Sequence, residues 1–180
     1  MSELSITKGS AAVLLSPVPI PNTEPERYIS FYQALNLRFP DEDTGDWHFQ
    51  GAFFERTKGE PGQRVMPLSG KGQAIDTTPS LGQQGVREMS AILHKQGILV
   101  PPGRRVYVAN HYRAIADLAM LDLQKAQQPS SATNREINSW LDTAEQVEHL
   151  RCDYLEHLAI QLSGEPLKIF KQWIMTVKFD

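Results

Sequence analysis

The chain of 180 residues contains one cysteine, Cys152. A single thiol cannot close an internal disulfide or build a cysteine-based structural metal site, and a chain so poor in cysteine suits a reducing compartment. Long apolar runs are missing too. Near the N-terminus the apolar stretch covers only residues 11–15, too short for the core of a secretion signal, and no segment approaches the roughly 20 apolar residues of a membrane-spanning helix. A cytoplasmic protein without membrane association is expected. Neither charge sign dominates: 18 Lys and Arg against 21 Asp and Glu leave a net charge of −3, which argues against general affinity for DNA or anionic lipid. Internal repeats and low-complexity tracts are absent. Ser69-Gly70-Lys71-Gly72 lacks the spacing of a phosphate-binding P-loop, and no nucleophile elbow supports serine catalysis.

What the chain does have is helical periodicity. In 104–128 the pattern passes from alternation at Val106 and Val108 to the three-and-four spacing of Tyr112, Ile115, Ala116, Ala119 and Leu123, which predicts a strand leading into a helix. Leu118, Met120 and Leu121 add apolar surface on other sides, so this helix is expected at the centre of the core. Asn110, Arg113 and Asp117 share one strip of it; the reading adopted is a cap at Asn110 and an ordinary Arg113–Asp117 pair four residues apart, the alternative being that the strip faces a polar pocket. Thr133-Asn134-Arg135-Glu136 is a capping box that opens the longest periodic run. Ile137, Trp140, Leu141, Ala144, Val147, Tyr154, Leu155, Leu158 and Leu162 follow one face until Gly164 and Pro166. One long helix over 136–163 is expected, antiparallel to the central helix across a short loop. Leu167, Phe170, Trp173, Ile174 and Val177 predict a last helix packed back on that pair.

The N-terminal half is mixed. Thr23-Glu24-Pro25-Glu26 reads as another capping box, with Tyr28, Phe31, Tyr32 and Leu35 at helical spacing after it. Trp47, Phe49, Gly51 and Phe53 alternate as in a strand. Residues 55–78 offer little regular structure and read as a long loop, functional or mobile. Thr78-Pro79 begins a helix whose stripe is Val86, Met89, Ile92 and Leu93, ending at Gly97. Residues 98–100 and 106–108, flanking Pro101-Pro102-Gly103, read as two short strands or as a strand and a turn. The fold class is therefore α+β, helix-dominated, with an antiparallel long-helix pair and a few short strands from the N-terminal half. A single domain over 1–180 is expected, mixed over 1–103 and helical over 104–180.

Charge is segregated along the chain. From 56 to 105 there are eight basic and three acidic residues; from 142 to 165 there are six acidic and one basic. A basic middle and an acidic late helix offer two binding faces, or one internal contact between them. The basic set comprises Arg56, Lys58, Arg64, Lys71, Arg104 and Arg105, with Phe53, Phe54 and Tyr107 interleaved. Such interleaving can hold single-stranded nucleic acid through phosphate contacts and stacking, or an acidic protein surface.

Chemistry has few candidates. Glu145, His149, Asp153 and His157 recur every four residues, a spacing that could ligate a metal but that also describes a solvated helix face, with Asp142, Glu148 and Glu156 beside it. The solvated face is the reading adopted, with no metal and no cofactor. Asp46 and His48 flank Trp47, and their alternation in a strand places them on opposite faces. His94 and His111 have no carboxylate at a productive spacing. The segment Arg151-Cys152-Asp153-Tyr154-Leu155-Glu156-His157 resembles, over these seven residues, the arginine-to-histidine motif of the HEPN family of helical ribonucleases. In that family the pair meets at a dimer interface and cleaves RNA. The resemblance implies that Arg151 would stabilise the charge of the reacting phosphate and His157 would move the proton. Cys152 departs from the pattern, which usually has a polar residue after the arginine.

These readings lead to a non-enzymatic adaptor or regulatory subunit that binds another macromolecule, of the kind found in microbial multi-protein or toxin–antitoxin-like complexes. A protein is the expected partner, through the basic set, and single-stranded nucleic acid is the other. The alternative is a metal-independent, HEPN-like ribonuclease using Arg151 and His157.

Overall fold

The structure, a computed structural model, describes residues 16–17, 20–39, 55–56, 66–96, 98, 100–125 and 128–180. The fold is α+β, about half helical, with a small mixed sheet of four strands. Its order is β4 (Leu68–Gly70), β2 (Arg27–Ile29), β6 (Tyr107–Ala109), β5 (Val86–Glu88). The two central strands, β2 and β6, run parallel, while β4 and β5 pair antiparallel on the outside. A separate two-residue ladder joins β1 (Ser16–Pro17) to β3 (Glu55–Arg56).

The expected central helix forms as α4 (His111–Gln124). Asn110 caps it, its side chain accepting from the Arg113 amide at 2.9 Å. Of its residues only Leu121 and Gln124 are not buried. Sheet, α1 (Phe31–Leu35) and the late helices surround it, so a helix apolar nearly all round sits where its composition requires.

The residues around 23–35 do not form the single helix that their spacing predicts. Glu24 and Arg27 exchange backbone hydrogen bonds across a turn carrying Pro25, and the chain continues as β2 before α1 begins. The competing structure is tertiary: Thr23 Oγ1 donates to the Arg105 carbonyl at 3.3 Å and accepts from the Tyr107 amide at 2.9 Å, so the hydroxyl that would have capped a helix stitches the chain to β6 instead. Phe31, with φ of 60°, turns the chain from β2 into α1 and places its ring in the core. A left-handed backbone at a bulky residue is costly, of order 1–3 kcal/mol, and persists only where the surroundings enforce it.

The helix expected to continue from Thr78-Pro79 is also divided. It starts as α2 (Thr78–Leu81), then Gly82 and Gly85 at positive φ reverse the chain into β5, and α3 (Ser90–Lys95) resumes. At Gly85 the close approach is steric as well, because a Cβ there would lie 2.5 Å from Asn110 Oδ1 and 2.9 Å from the Arg113 Cβ. Of the expected elements flanking Pro101-Pro102-Gly103, the second strand forms, shifted by one residue as β6, while residue 99 lies outside the described residues. The expected aromatic strand at 47–54 lies outside the described residues, as does Gly97.

The single helix expected over 136–163 is broken. The Thr133 capping box holds, with both reciprocal hydrogen bonds, and opens α5 (Asn134–Trp140). Leu141 is then extended and fully buried, and Thr143 starts a new helix by accepting from the Gln146 amide. Gln146 Oε1 in turn accepts from the Asp142 amide at 2.7 Å. Thr143-Ala144-Glu145-Gln146 is thus an internal start signal of the Thr-x-x-Gln kind, masked in the sequence by uninterrupted periodicity. From there the run is α6 (Ala144–His149), a π-helical segment (Leu150–Leu155), α7 (Glu156–Leu158) and a 3₁₀ turn (Ala159–Gln161). The π segment supplies the contacts with α4. The last helix, α8 (Gly164–Ile174), buries Phe170, Trp173 and Ile174 as its stripe predicts. Among the described residues no helix is long and apolar enough to cross a membrane.

Candidate functional site

Three places hold the polar groups singled out above. The first lies inside the core. Arg113 and Asp117 are not an ordinary surface pair: both side chains are 0 % exposed, with Nε 3.7 Å from Oδ1. Asp117 accepts from Ser30 Oγ at 2.6 Å and Thr77 Oγ1 at 2.5 Å. Arg113 Nε donates to Tyr28 Oη at 2.8 Å and Thr77 Oγ1 at 2.9 Å, and Nη1 donates to the carbonyls of Gln84 and Gly82. The guanidinium carbon stands 5.1 Å from the Tyr28 ring centroid, a cation–π distance. Burial pushes the Asp117 carboxyl above its ordinary range, against the pull of Arg113 and the two hydroxyls. Burial likewise raises the Tyr28 phenol, helped by the nearby Asp117 charge. Every element around this network is tied by it: β2 through Tyr28, α2 through Thr77 at its start, the turn before β5 through Gln84. It is a clasp for the fold, sealed from solvent.

The second place is the basic segment. Arg56 lies in β3, while Lys58 and Arg64 fall outside the described residues, with Phe53 and Phe54. Lys71, in the turn after β4, is exposed and pairs with Glu26 at 3.2 Å. Arg104 donates to the Ile20 carbonyl at 2.8 Å, and Arg105 is exposed. Of the four described members, Arg56 lies in β3 and the other three in two strand connections, where Lys71 and Arg104 are already bonded to residues far away in sequence. Among the described residues no ion pair joins this segment to the acidic late helix. Asp46 and His48 lie outside the described residues.

The third place is the late helix. Among the described residues no group of three or more His, Cys, Asp or Glu is arranged to hold a metal ion. His149 Nδ1 stands 2.6 Å from Asp153 Oδ2, its ring edge-on to Tyr112 and Tyr154. His111 is buried, with ring nitrogens 3.1 Å from the Leu37 carbonyl and 3.4 Å from that of Trp140; it packs α4 against its neighbours. His94 and His157 are exposed. Arg151 is clamped. Nε and Nη2 take both oxygens of Glu148, at 3.0 and 2.5 Å, and Nη1 takes Glu156 Oε1 at 2.6 Å. The Arg151 hydrogen bonds, and then the Cys152 thiol at 3.2 Å, hold the Glu148 carboxyl below its ordinary range. The same Glu148 pushes the Cys152 thiol up, so it stays protonated and a poor nucleophile.

Arg151, its head group fixed, lines a groove of about 370 Å³. The other lining residues are Glu156, Ala159, Lys171, Ile174 and Met175. One wall is thus the π segment with α7 and the 3₁₀ turn, and the other is the end of α8. Met175 is 85 % exposed, and Ile160, the chain neighbour of Ala159, is 81 % exposed. Single exposed apolar residues are commonplace, but Met175 itself lines the groove, so its exposure belongs to an apolar feature. Sequence reasoning passed over both because they lie off the stripes that fill the core. Their signal is an apolar residue on the polar side of an otherwise amphipathic helix. A π turn at this place adds weight, since such turns are uncommon and concentrate at functional sites.

Compared with known protein families, with characterised proteins and with solved structures, the chain matches none.

Proposed function

We propose that the chain is a non-enzymatic adaptor or regulatory subunit that works by holding a protein partner. The observation that carries this reading is the groove between the π segment and α8, mostly apolar in its lining and including the charged residues Arg151, Glu156 and Lys171. A desolvated apolar centre inside a polar rim is the anatomy of a protein interface. A fixed Arg151 supports it further, because a wall held in place before binding loses little side-chain entropy on docking. The free thiol of Cys152 fits a cytoplasmic setting.

The alternative, metal-independent RNA cleavage by Arg151 and His157, requires the guanidinium to face a phosphate. Arg151 already donates to two carboxylates, and a phosphate would have to displace them while lying beside their charge. The basic set offers the other surface for a partner, protein or single-stranded nucleic acid, with Lys71 and Arg105 exposed among its described members.

Capture of partners by the tagged full chain, read by mass spectrometry, tests these readings together. Met175→Asp should abolish capture, whereas the pair Arg104→Glu and Arg105→Glu should leave it. The reverse result would move the interface to the basic segment. Cleavage of RNA by the purified chain without added metal, lost in His157→Ala, would overturn the adaptor reading.

A further inference from the structure

Resting on the adaptor reading, we infer that the groove takes one amphipathic helix of the partner, with apolar anchors on one face and a carboxylate at its edge. The shape comes first. The groove is open on one side, so it covers one face of an occupant and leaves the rest in water. A small molecule gains most from enclosure, whereas a helix laid in a groove buries only its apolar stripe. Both walls are themselves helical, so the occupant becomes a third helix against two.

Charge then selects the edge. On the π-segment side, Arg151 is shared between Glu148 and Glu156, which leaves that rim with one surplus negative charge. On the α8 side Lys171 lines the groove and is exposed, and no ion pair engages it among the described residues; its neighbour Lys168 pairs with Glu165 at 3.8 Å. An occupant that brings Asp or Glu beside Lys171 gains a partner for the ammonium. One that brings the same group to the opposite rim meets Glu156, whose partner Arg151 is already shared with Glu148. The rim therefore fixes orientation as well as affinity.

The apolar anchors fall on Ala159, Ile174 and Met175. Ile174 is only 8 % exposed and belongs to the core, while Met175 is 85 % exposed. Met175 is thus the residue whose replacement reads binding without touching stability. Its unbranched, polarizable side chain adapts to different apolar partners.

Selection of a phage-displayed library of short helical peptides against the full chain tests this. Enriched peptides should carry apolar residues at i, i+3 or i+4, and i+7, with Asp or Glu on one flank. Met175→Asp should weaken them on the order of 30-fold, as loss of a central anchor does. Lys171→Gln should weaken them a few-fold and remove the preference for the acidic flank over its Gln counterpart. Failure to enrich any helix, or enriched peptides that bind Met175→Asp unchanged, would overturn the proposal. So would a dimer of the free chain at micromolar concentration that Met175→Asp dissociates, because the groove would then belong to a second copy. The adaptor reading itself fails separately, if partner capture from lysate is absent or RNA cleavage appears.

Discussion

Replacing Arg113 by Met keeps the length of the side chain and removes its charge and donors. In the wild-type core the guanidinium is 3.7 Å from Asp117 with neither side chain exposed. Taking away one member of such a pair leaves the other charge buried, which costs about 3–5 kcal/mol. Ser30 and Thr77 still donate to the carboxylate, so the low end, about 3 kcal/mol, applies. With a urea slope of about 2 kcal/mol per molar, the midpoint falls by roughly 1.5 M. The loss also depends on pH. Burial already raises the folded-state value of Asp117 above its ordinary one, and Arg113 is the largest influence holding it down. Without Arg113 the folded value climbs further. A carboxyl raised in the folded state favours folding below its unfolded value and loses that contribution as pH rises through its folded value. Arg113→Met should therefore be closer to wild type at pH 5 than at pH 8, and adding Asp117→Leu should recover stability at pH 8. A loss under about 1 kcal/mol, equal at both pH values, would show that the pair is hydrated and refute its role as a clasp.

Other expectations follow from particular contacts. Ala119→Asp places an unpaired carboxylate at a fully buried position in α4 and should cost several kcal/mol, read as a lowered melting temperature. Gly85→Ala combines a φ of 74° with a Cβ 2.5 Å from Asn110 Oδ1 and should destabilise by about 1–3 kcal/mol in urea titration, while Gly103→Ala, with open space around it, should cost less. The Arg151 clamp depends on ionised Glu148, whose value is lowered, so its contribution is present above the ordinary 4.5 and fades as pH falls through the lower folded value. The Arg151 Nε–H resonance should keep its bonded shift at pH 5 and lose it on further acidification, and a shift already lost at pH 6 would contradict the clamp.

Where local signals and tertiary demands agree, the amino-acid pattern was sufficient. Asn110 and Thr133 cap the helices that follow them because each hydroxyl or amide group finds its acceptor or donor within three residues. The burial of α4 follows from apolar residues on every side of it, and the α8 stripe from its spacing. The helix-rich α+β class was legible for the same reason. Thr23 shows the limit: its capping box is as good on paper as that of Thr133, yet its hydroxyl is taken by Arg105 and Tyr107, eighty residues away in sequence. At Leu141 the periodicity continues while the chain breaks: the residue is extended and still fully buried, and Thr143 supplies a new start.

The polar groups divide in the same way. Arg113 and Asp117 were visible as a pair at helical spacing, but spacing carries no information about what covers it. Tyr28, Ser30 and Thr77, drawn from the distant N-terminal half, make the pair a buried network. Arg151 was visible as a lone cation in an acidic helix, and the carboxylates that neutralise it lie within five residues. The groove beside it was not visible, since its walls come from 151–159 and 171–175 and exist only once α8 folds back across the 3₁₀ turn. Elements and their apolar faces are properties of a short stretch of chain, set by backbone geometry and local hydrogen bonding. Which polar side chains are sealed, and which apolar ones are left at the surface, is decided by the packing of stretches far apart in sequence.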